Sequence, residues 1–133
     1  MPVFGSVIRS VLAFPVKRGA PDRSAIRHAI EKLQEGDLVV VFPEGTRSKT
    51  GELGPFAPGA ALIAMKAGVP MVPTGIIGTR RILNNGGFLP HIEIHFAEPV
   101  PTTSAAGGEI KKSMEEVGQS VRTSIEKILN KVL

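Results

Sequence analysis

An α/β fold is expected of this chain, with a mostly parallel sheet flanked by helices. Leu38-Val39-Val40-Val41-Phe42 is an unbroken β-branched run without alternation, which is how a strand buried on both faces reads. A second apolar run covers residues 71–77. Helical periodicities lie between and after these runs, and that order is the pattern of a parallel sheet with crossover helices.

The elements follow in order. Val3, Phe4, Val7, Ile8, Val11 and Leu12 recur at helical spacing, so the opening reads as a short amphipathic helix, packed on the sheet or touching lipid. A short apolar strand over residues 12–16 ends in Lys17-Arg18. Pro21-Asp22 opens a helix to about Glu35, with Asp22 as N-cap, Ile26, Ile30 and Leu33 on its inner face, and Gly36 as its stop. The strand at 38–42 runs into P-E-G-T-R-S. A helix from about Pro58 to Ala67 leads through Gly68-Val69-Pro70 to the second buried strand, which ends in G-T-R-R. After a turn at Asn84-Asn85-Gly86-Gly87, residues 91–96 alternate as a half-exposed strand whose polar face carries His91, Glu93 and His95. A Pro/Ser/Ala/Gly connector over residues 99–108 precedes a long helix with one stripe, Ile110, Met114, Val117, Val121, Ile125, Ile128, Leu129 and Val132.

With 133 residues, 42% hydrophobic and 21% charged, the chain is expected to form a single domain over 1–133. The absence of cysteine excludes a disulfide framework, a thiolate zinc site and a cysteine nucleophile. The net charge of +4 is local: residues 1–27 hold Arg9, Lys17, Arg18, Arg23 and Arg27 against Asp22, and the remaining residues hold eleven of each sign. Such a patch points to an anionic partner. Six Phe and no Tyr or Trp supply base-stacking platforms poorly, so no nucleic-acid partner is expected. No apolar run reaches the roughly 18–20 residues of a spanning helix, and Arg9 interrupts the N-terminal apolar stretch, so neither a transmembrane segment nor a signal peptide is expected.

In a parallel sheet the carboxyl ends of the strands share one edge, where ligands bind. Three successive predicted strands run out into arginine there: Arg18, then Arg47, then Arg80 and Arg81. A planar, permanently charged fork suits phosphate. In the turn itself Gly45 allows close backbone approach, Thr46 offers a hydroxyl, and Glu44 can orient an arginine. Neither G-x-G-x-x-G nor G-x-x-x-x-G-K-[ST] occurs, which disfavours the two common nucleotide-binding designs.

Phe42-Pro43-Glu44-Gly45-Thr46-Arg47-Ser48 resembles the F-P-E-G-T-R-S block of the phospholipid/glycerol acyltransferases, the lysophosphatidate acyltransferase family. Phe14-Pro15-Val16-Lys17-Arg18 is similar to the preceding block, Phe56 to Ala60 to the F-x-x-G-A segment, and Val69-Pro70-Met71-Val72-Pro73 to the V-P-x-V-P block, in the same order. The likeness covers about residues 2–100, leaving 101–133 as connector and C-terminal amphipathic helix. It implies a glycerolphosphate acyltransferase-like fold. It further implies transfer of a fatty acyl group from acyl-CoA or acyl carrier protein, as co-substrate and without a cofactor, to the hydroxyl of a lysophospholipid such as 1-acylglycerol 3-phosphate. The acceptor phosphate would lie on Arg18, Glu44, Gly45, Thr46 and Arg47, with Pro70 and Pro73 shaping the strand beside it. Peripheral contact with the cytoplasmic side of a membrane is the implied location.

The family's catalytic N-H-x-x-x-x-D block, whose His takes the hydroxyl proton, is not found: none of His28, His91 and His95 has an acid five residues later. No catalytic residue and no metal site is therefore assigned, His28 and the His91/Glu93/His95 face reading as surface polar groups. Ala57-Pro58 also departs from the lysine many relatives carry after the Phe. The leading expectation is an N-terminally truncated acyltransferase domain, inactive as this chain alone. A non-catalytic lipid-phosphate-binding relative is the alternative, and an unrelated phosphate-binding domain the third reading.

Overall fold

The structure is a computed structural model and describes residues 22–46, 48, 52–79, 91–102 and 110–132. The expected opening helix, the strand at 12–16 and the turn at 84–87 lie outside the described residues. The chain divides into two compact units, Met1–Val39 and Val40–Leu133.

In the first unit, helix α1 (Arg23–Gln34) starts where the sequence sets it. The Asp22 carboxylate accepts the backbone N–H groups of Ser24 and Ala25 at 3.1 and 3.2 Å and the Ser24 hydroxyl at 2.6 Å. Two of the orphan donors of the first turn are thereby satisfied. At the other end Glu35 is the C-cap, and Lys32 pairs with Glu35 and Asp37. The hydrogen bond to Glu35 and then that to Asp37 hold the Lys32 ammonium above its ordinary value. The buried residues are Ala25 and Ala29, whereas Ile26, Ile30 and Leu33 are half-buried. The apolar face is the expected one, rotated so that the smallest side chains sit at its centre.

In the second unit, helix α2 (Gly59–Ala67) begins after Pro58 and ends at Gly68. Gly68 has φ of 70°, a left-handed conformation that favours glycine, and its N–H returns to the Met65 carbonyl at 3.3 Å. Strand β1 (Thr74–Ile77) pairs antiparallel with β2 (Glu93–Phe96), Thr74 opposite Phe96 and Ile77 opposite Glu93. The pairing extends to a bridge between Met71 and Val100. From the first pair to that bridge one strand advances three residues and the other four, so the second strand carries a bulge beside Pro99. Thr102 closes this end, its hydroxyl donating to the Val69 carbonyl at 2.6 Å.

Helix α3 (Ile110–Val132) packs on both α2 and β1. The core lies between them: Ala61, Ala64 and Met65 from α2, Val121 and Ile125 from α3, and Pro73 before β1. An ideal Cβ placed on Gly75 would stand 2.7 Å from Cγ2 of Ile128, so the missing side chain lets α3 lie close on the sheet. Ile110, the first member of the predicted stripe, is 48% exposed.

Helices and a small sheet make the described chain an α/β structure, with three corrections. The described strand pair is antiparallel, not parallel. Residues 37–42 form neither helix nor strand, and Leu38, Val40 and Phe42 are 85%, 70% and 71% exposed. A run of this composition can be buried on both faces only where neighbouring strands flank it, and none of the described strands pairs with it. The sheet is also one-sided. Along β1 and the two residues before it, Pro73 and Gly75 are buried while Val72 and Ile76 are exposed; on β2, Glu93 and His95 are half-buried while Ile94 and Phe96 are exposed. The register explains the inversion: His95 lies opposite Gly75, on the face that Ile128 of α3 covers.

Candidate functional site

The described part of the P-E-G-T-R-S segment, residues 43–46, forms a turn against which residues 52–57 return. The Gly45 N–H donates to the Phe42 carbonyl at 3.1 Å, and Gly45 has φ of 67°, which any larger residue adopts only at a cost. At the base of the loop the Ala57 N–H donates to the Pro43 carbonyl at 2.8 Å. One residue further in, the Glu44 carboxylate accepts the Gly54 N–H at 2.8 Å. Near the tip the Ser48 hydroxyl donates to the Glu52 carbonyl at 2.8 Å.

Helix α3 grips the returning limb of this loop through Arg122. Its Nη1 donates to the Gly54 carbonyl at 2.6 Å and its Nη2 to the Leu53 carbonyl at 3.2 Å. Nε is held by Glu126 one turn later at 2.8 Å, and the guanidinium carbon lies 5.7 Å from the centre of the Phe56 ring. Beside the loop base a cleft of about 610 Å³ opens between α2 and α3, lined by Pro43, Phe56, Ala61, Met71, Val121 and Arg122 among others.

Of the residues expected to bind phosphate, Glu44, Gly45 and Thr46 stand together on this loop; Gly45 and Thr46 are exposed and Glu44 is half-buried. Arg18 and Arg47 lie outside the described residues, as do Arg80 and Arg81. Glu44 has a described partner other than an arginine, because one carboxylate oxygen holds the loop's own backbone. His28 is exposed on α1. Two imidazoles share Glu93, that of His95 on β2 at 2.9 Å and that of His91 before the strand at 3.5 Å. No group of three or more potential metal ligands forms among the described residues. No helix among them is long and apolar enough to cross a membrane.

Arg122 and Gly54 were not among the expected site residues. Arg122 immediately follows Val121 of the apolar stripe and stands four residues before Glu126, the one sequence signal it carries.

Known proteins carry the same pattern. The chain is 41% identical over 98 residues to the chloroplastic 1-acyl-sn-glycerol-3-phosphate acyltransferase BAT2 of Brassica napus, covering 71% of this chain and 28% of that protein. It is 30% identical over 131 residues to the 1-acyl-sn-glycerol-3-phosphate acyltransferase of Bacillus subtilis, covering 96% of this chain and 63% of that protein. Among solved structures it resembles the 1-acyl-sn-glycerophosphate (LPA) acyltransferase PlsC from Thermotoga maritima, with a TM-score of 0.56 and 33% identity over 77% of this chain and 44% of that one. The chain thus spans between about a quarter and two thirds of the length of these relatives. The acyltransferase family model matches residues 1–77, more than half of the sequence and the part that holds the P-E-G-T-R-S loop, and the chain belongs to the acyltransferase family.

Proposed function

We propose that this chain holds the phosphate of a lysophospholipid such as 1-acylglycerol 3-phosphate for acyl transfer from acyl-CoA or acyl carrier protein. In that reaction the free hydroxyl oxygen of the acceptor attacks the thioester carbonyl. An ester forms, the C–S bond breaks, and the thiolate leaves and takes up the proton. Glu44, Gly45, Thr46 and Arg47 shape the site of the acceptor phosphate, with Arg18 contributing. The observation that carries the proposal is the pairing of residues 43–46 with residues 53–57, which presents the exposed Gly45 and Thr46 of the family's motif from a backbone fixed at both limbs. No cofactor is invoked, since the thioester donor is a co-substrate, and the acceptor implies peripheral contact with the cytoplasmic face of a membrane.

A second reading has its own support. No histidine of this sequence is followed by an acid five residues later, and His91 and His95 are both drawn to Glu93, so this chain can bind the acceptor without turning it over. Flotation with vesicles containing lysophosphatidate or uncharged monoacylglycerol tests the binding, and a labelled thioester donor tests transfer. Lysophosphatidate vesicles are expected to bind preferentially, and Arg47→Ala to weaken that binding about tenfold or more, the loss of one hydrogen bond to a charged group. Equal binding of the two vesicles sinks the phosphate site. Acyl transfer by this polypeptide alone would show that it contains a base after all.

A further inference from the structure

We infer that Arg122 is a positioning residue for the P-E-G-T-R-S turn, acting on Glu44 through the single peptide group that joins Leu53 to Gly54. The inference rests on the reading of residues 44–47 as the phosphate site.

The Leu53 carbonyl and the Gly54 N–H belong to one amide. Arg122 donates to its oxygen at 3.2 Å, and Glu44 accepts from its nitrogen at 2.8 Å. A cation therefore sits at the negative end of the amide dipole and an anion at the positive end. Each polarises the bond the other makes, so the two charged side chains are coupled although they do not touch. The next carbonyl, that of Gly54, takes the second Arg122 contact at 2.6 Å, so the limb is held at two consecutive residues.

Arg122 is itself prevented from turning. Glu126 holds Nε, the guanidinium carbon stands over the Phe56 ring at 5.7 Å from its centre, and the side chain is 28% exposed. Phe56 belongs to the same limb, two residues beyond Gly54. The contact thus uses all three nitrogens of one planar group, two on carbonyls and one on a carboxylate, beside an aromatic ring. A lysine ammonium has neither the fork nor the plane to do this. Gly54 also fits closely: a Cβ there would stand 3.1 Å from Glu44 Oε2, so the small residue lets the carboxylate reach the amide. Arg122 lies beyond the residues that the family model matches, and its partners lie 68 and 69 positions earlier.

The test compares Arg122→Lys and Arg122→Gln with the wild-type chain. Amide hydrogen exchange reads Gly54 against Ala64 and Met65 of α2, and flotation reads the preference for lysophosphatidate over monoacylglycerol vesicles. In both variants Gly54 exchange is expected to speed up about tenfold or more, with Ala64 and Met65 unchanged. The vesicle preference is expected to fall severalfold. Arg122→Lys, which keeps the charge and most of the stem, serves where Arg122→Gln does not fold. The inference is overturned if Arg122→Lys keeps wild-type Gly54 protection, or if Gly54, Ala64 and Met65 lose protection by the same factor, since the arginine would then only support the fold. It is overturned equally if Gly54 is released with the preference intact. If the wild-type chain shows no vesicle preference, the phosphate-site reading fails by itself, and Gly54 exchange in Arg122→Lys still decides whether Arg122 holds the loop.

Discussion

Gly75 offers a sharp test of how the C-terminal helix meets the sheet. A Cβ added there would lie 2.7 Å from Ile128 Cγ2 and 3.5 Å from its Cβ. Carbon atoms prefer about 3.5–4.0 Å, so Ile128 or the whole of α3 must withdraw by about 0.8 Å or more. Overpacking of this kind costs about 1–3 kcal/mol. Replacing glycine in a strand, where alanine adopts the same backbone, restores about 0.4–1 kcal/mol by restricting the unfolded chain. Gly75→Ala is therefore expected to destabilise by roughly 0.5–2 kcal/mol. Ile128→Ala alone is expected to cost about 2 kcal/mol, the low end for a half-buried side chain. With Ile128→Ala already present the clashing methyl is gone, and Gly75→Ala should then stabilise by about 0.4–1 kcal/mol. The four chains of this double-mutant cycle are compared by urea denaturation, and a coupling of about 1–3 kcal/mol is expected. A Gly75→Ala effect of the same sign and size in both backgrounds would refute the close approach of α3 to β1.

Two further outcomes follow from burial and capping. Phe96 is 71% exposed on the outer face of β2, so Phe96→Ser should change the urea midpoint by less than the equivalent of about 0.5 kcal/mol, where a core phenylalanine would lose about 3–5 kcal/mol when truncated. A large loss would mean that this face is covered in solution. Asp22→Ala should cost about 1 kcal/mol and lower the helical ellipticity, while Asp22→Asn keeps most of the cap; equal stability of wild type and Asp22→Ala would refute the two backbone contacts of the carboxylate.

The helices were legible because their determinants are local. Asp22, Pro58 and Gly68 bound α1 and α2 within a residue of where turn chemistry sets them, and the three-and-four spacing of Val121, Ile125 and Ile128 identifies the face of α3 that packs. Strand partners are not local. Alternation over 91–96 shows that β2 has two unlike faces, but which one is covered depends on a glycine in another strand and a helix that begins at residue 110. Composition alone reads His91, Glu93 and His95 as the outer polar face, whereas Glu93 and His95 are half-buried and Ile94 and Phe96 are exposed. Arg122 was hidden for a similar reason. Its partners are backbone carbonyls, which every residue possesses, so no residue type at the far end marks the contact.

The same distinction bears on what fixes the motif loop. The segment entering it, Val40, Val41 and Phe42, is 70%, 43% and 71% exposed and belongs to no described strand, so among the described residues no sheet ladder sets the position of Glu44 from the N-terminal side. Apart from the turn bond of Gly45 to the Phe42 carbonyl, the long-range restraints described on the loop come from later in the sequence: Ala57 on Pro43, Gly54 on Glu44, and Arg122 on Leu53 and Gly54. Arg122 is in turn carried by a helix anchored through Val121 and Ile125, two of the most buried side chains of the second unit. Rigidity therefore passes from the hydrophobic seam of α3 to one guanidinium, then through one amide to the Glu44 carboxylate. Conservative changes within residues 40–42 should leave the turn in place, whereas any change that slides α3 by a fraction of an ångström reaches it directly.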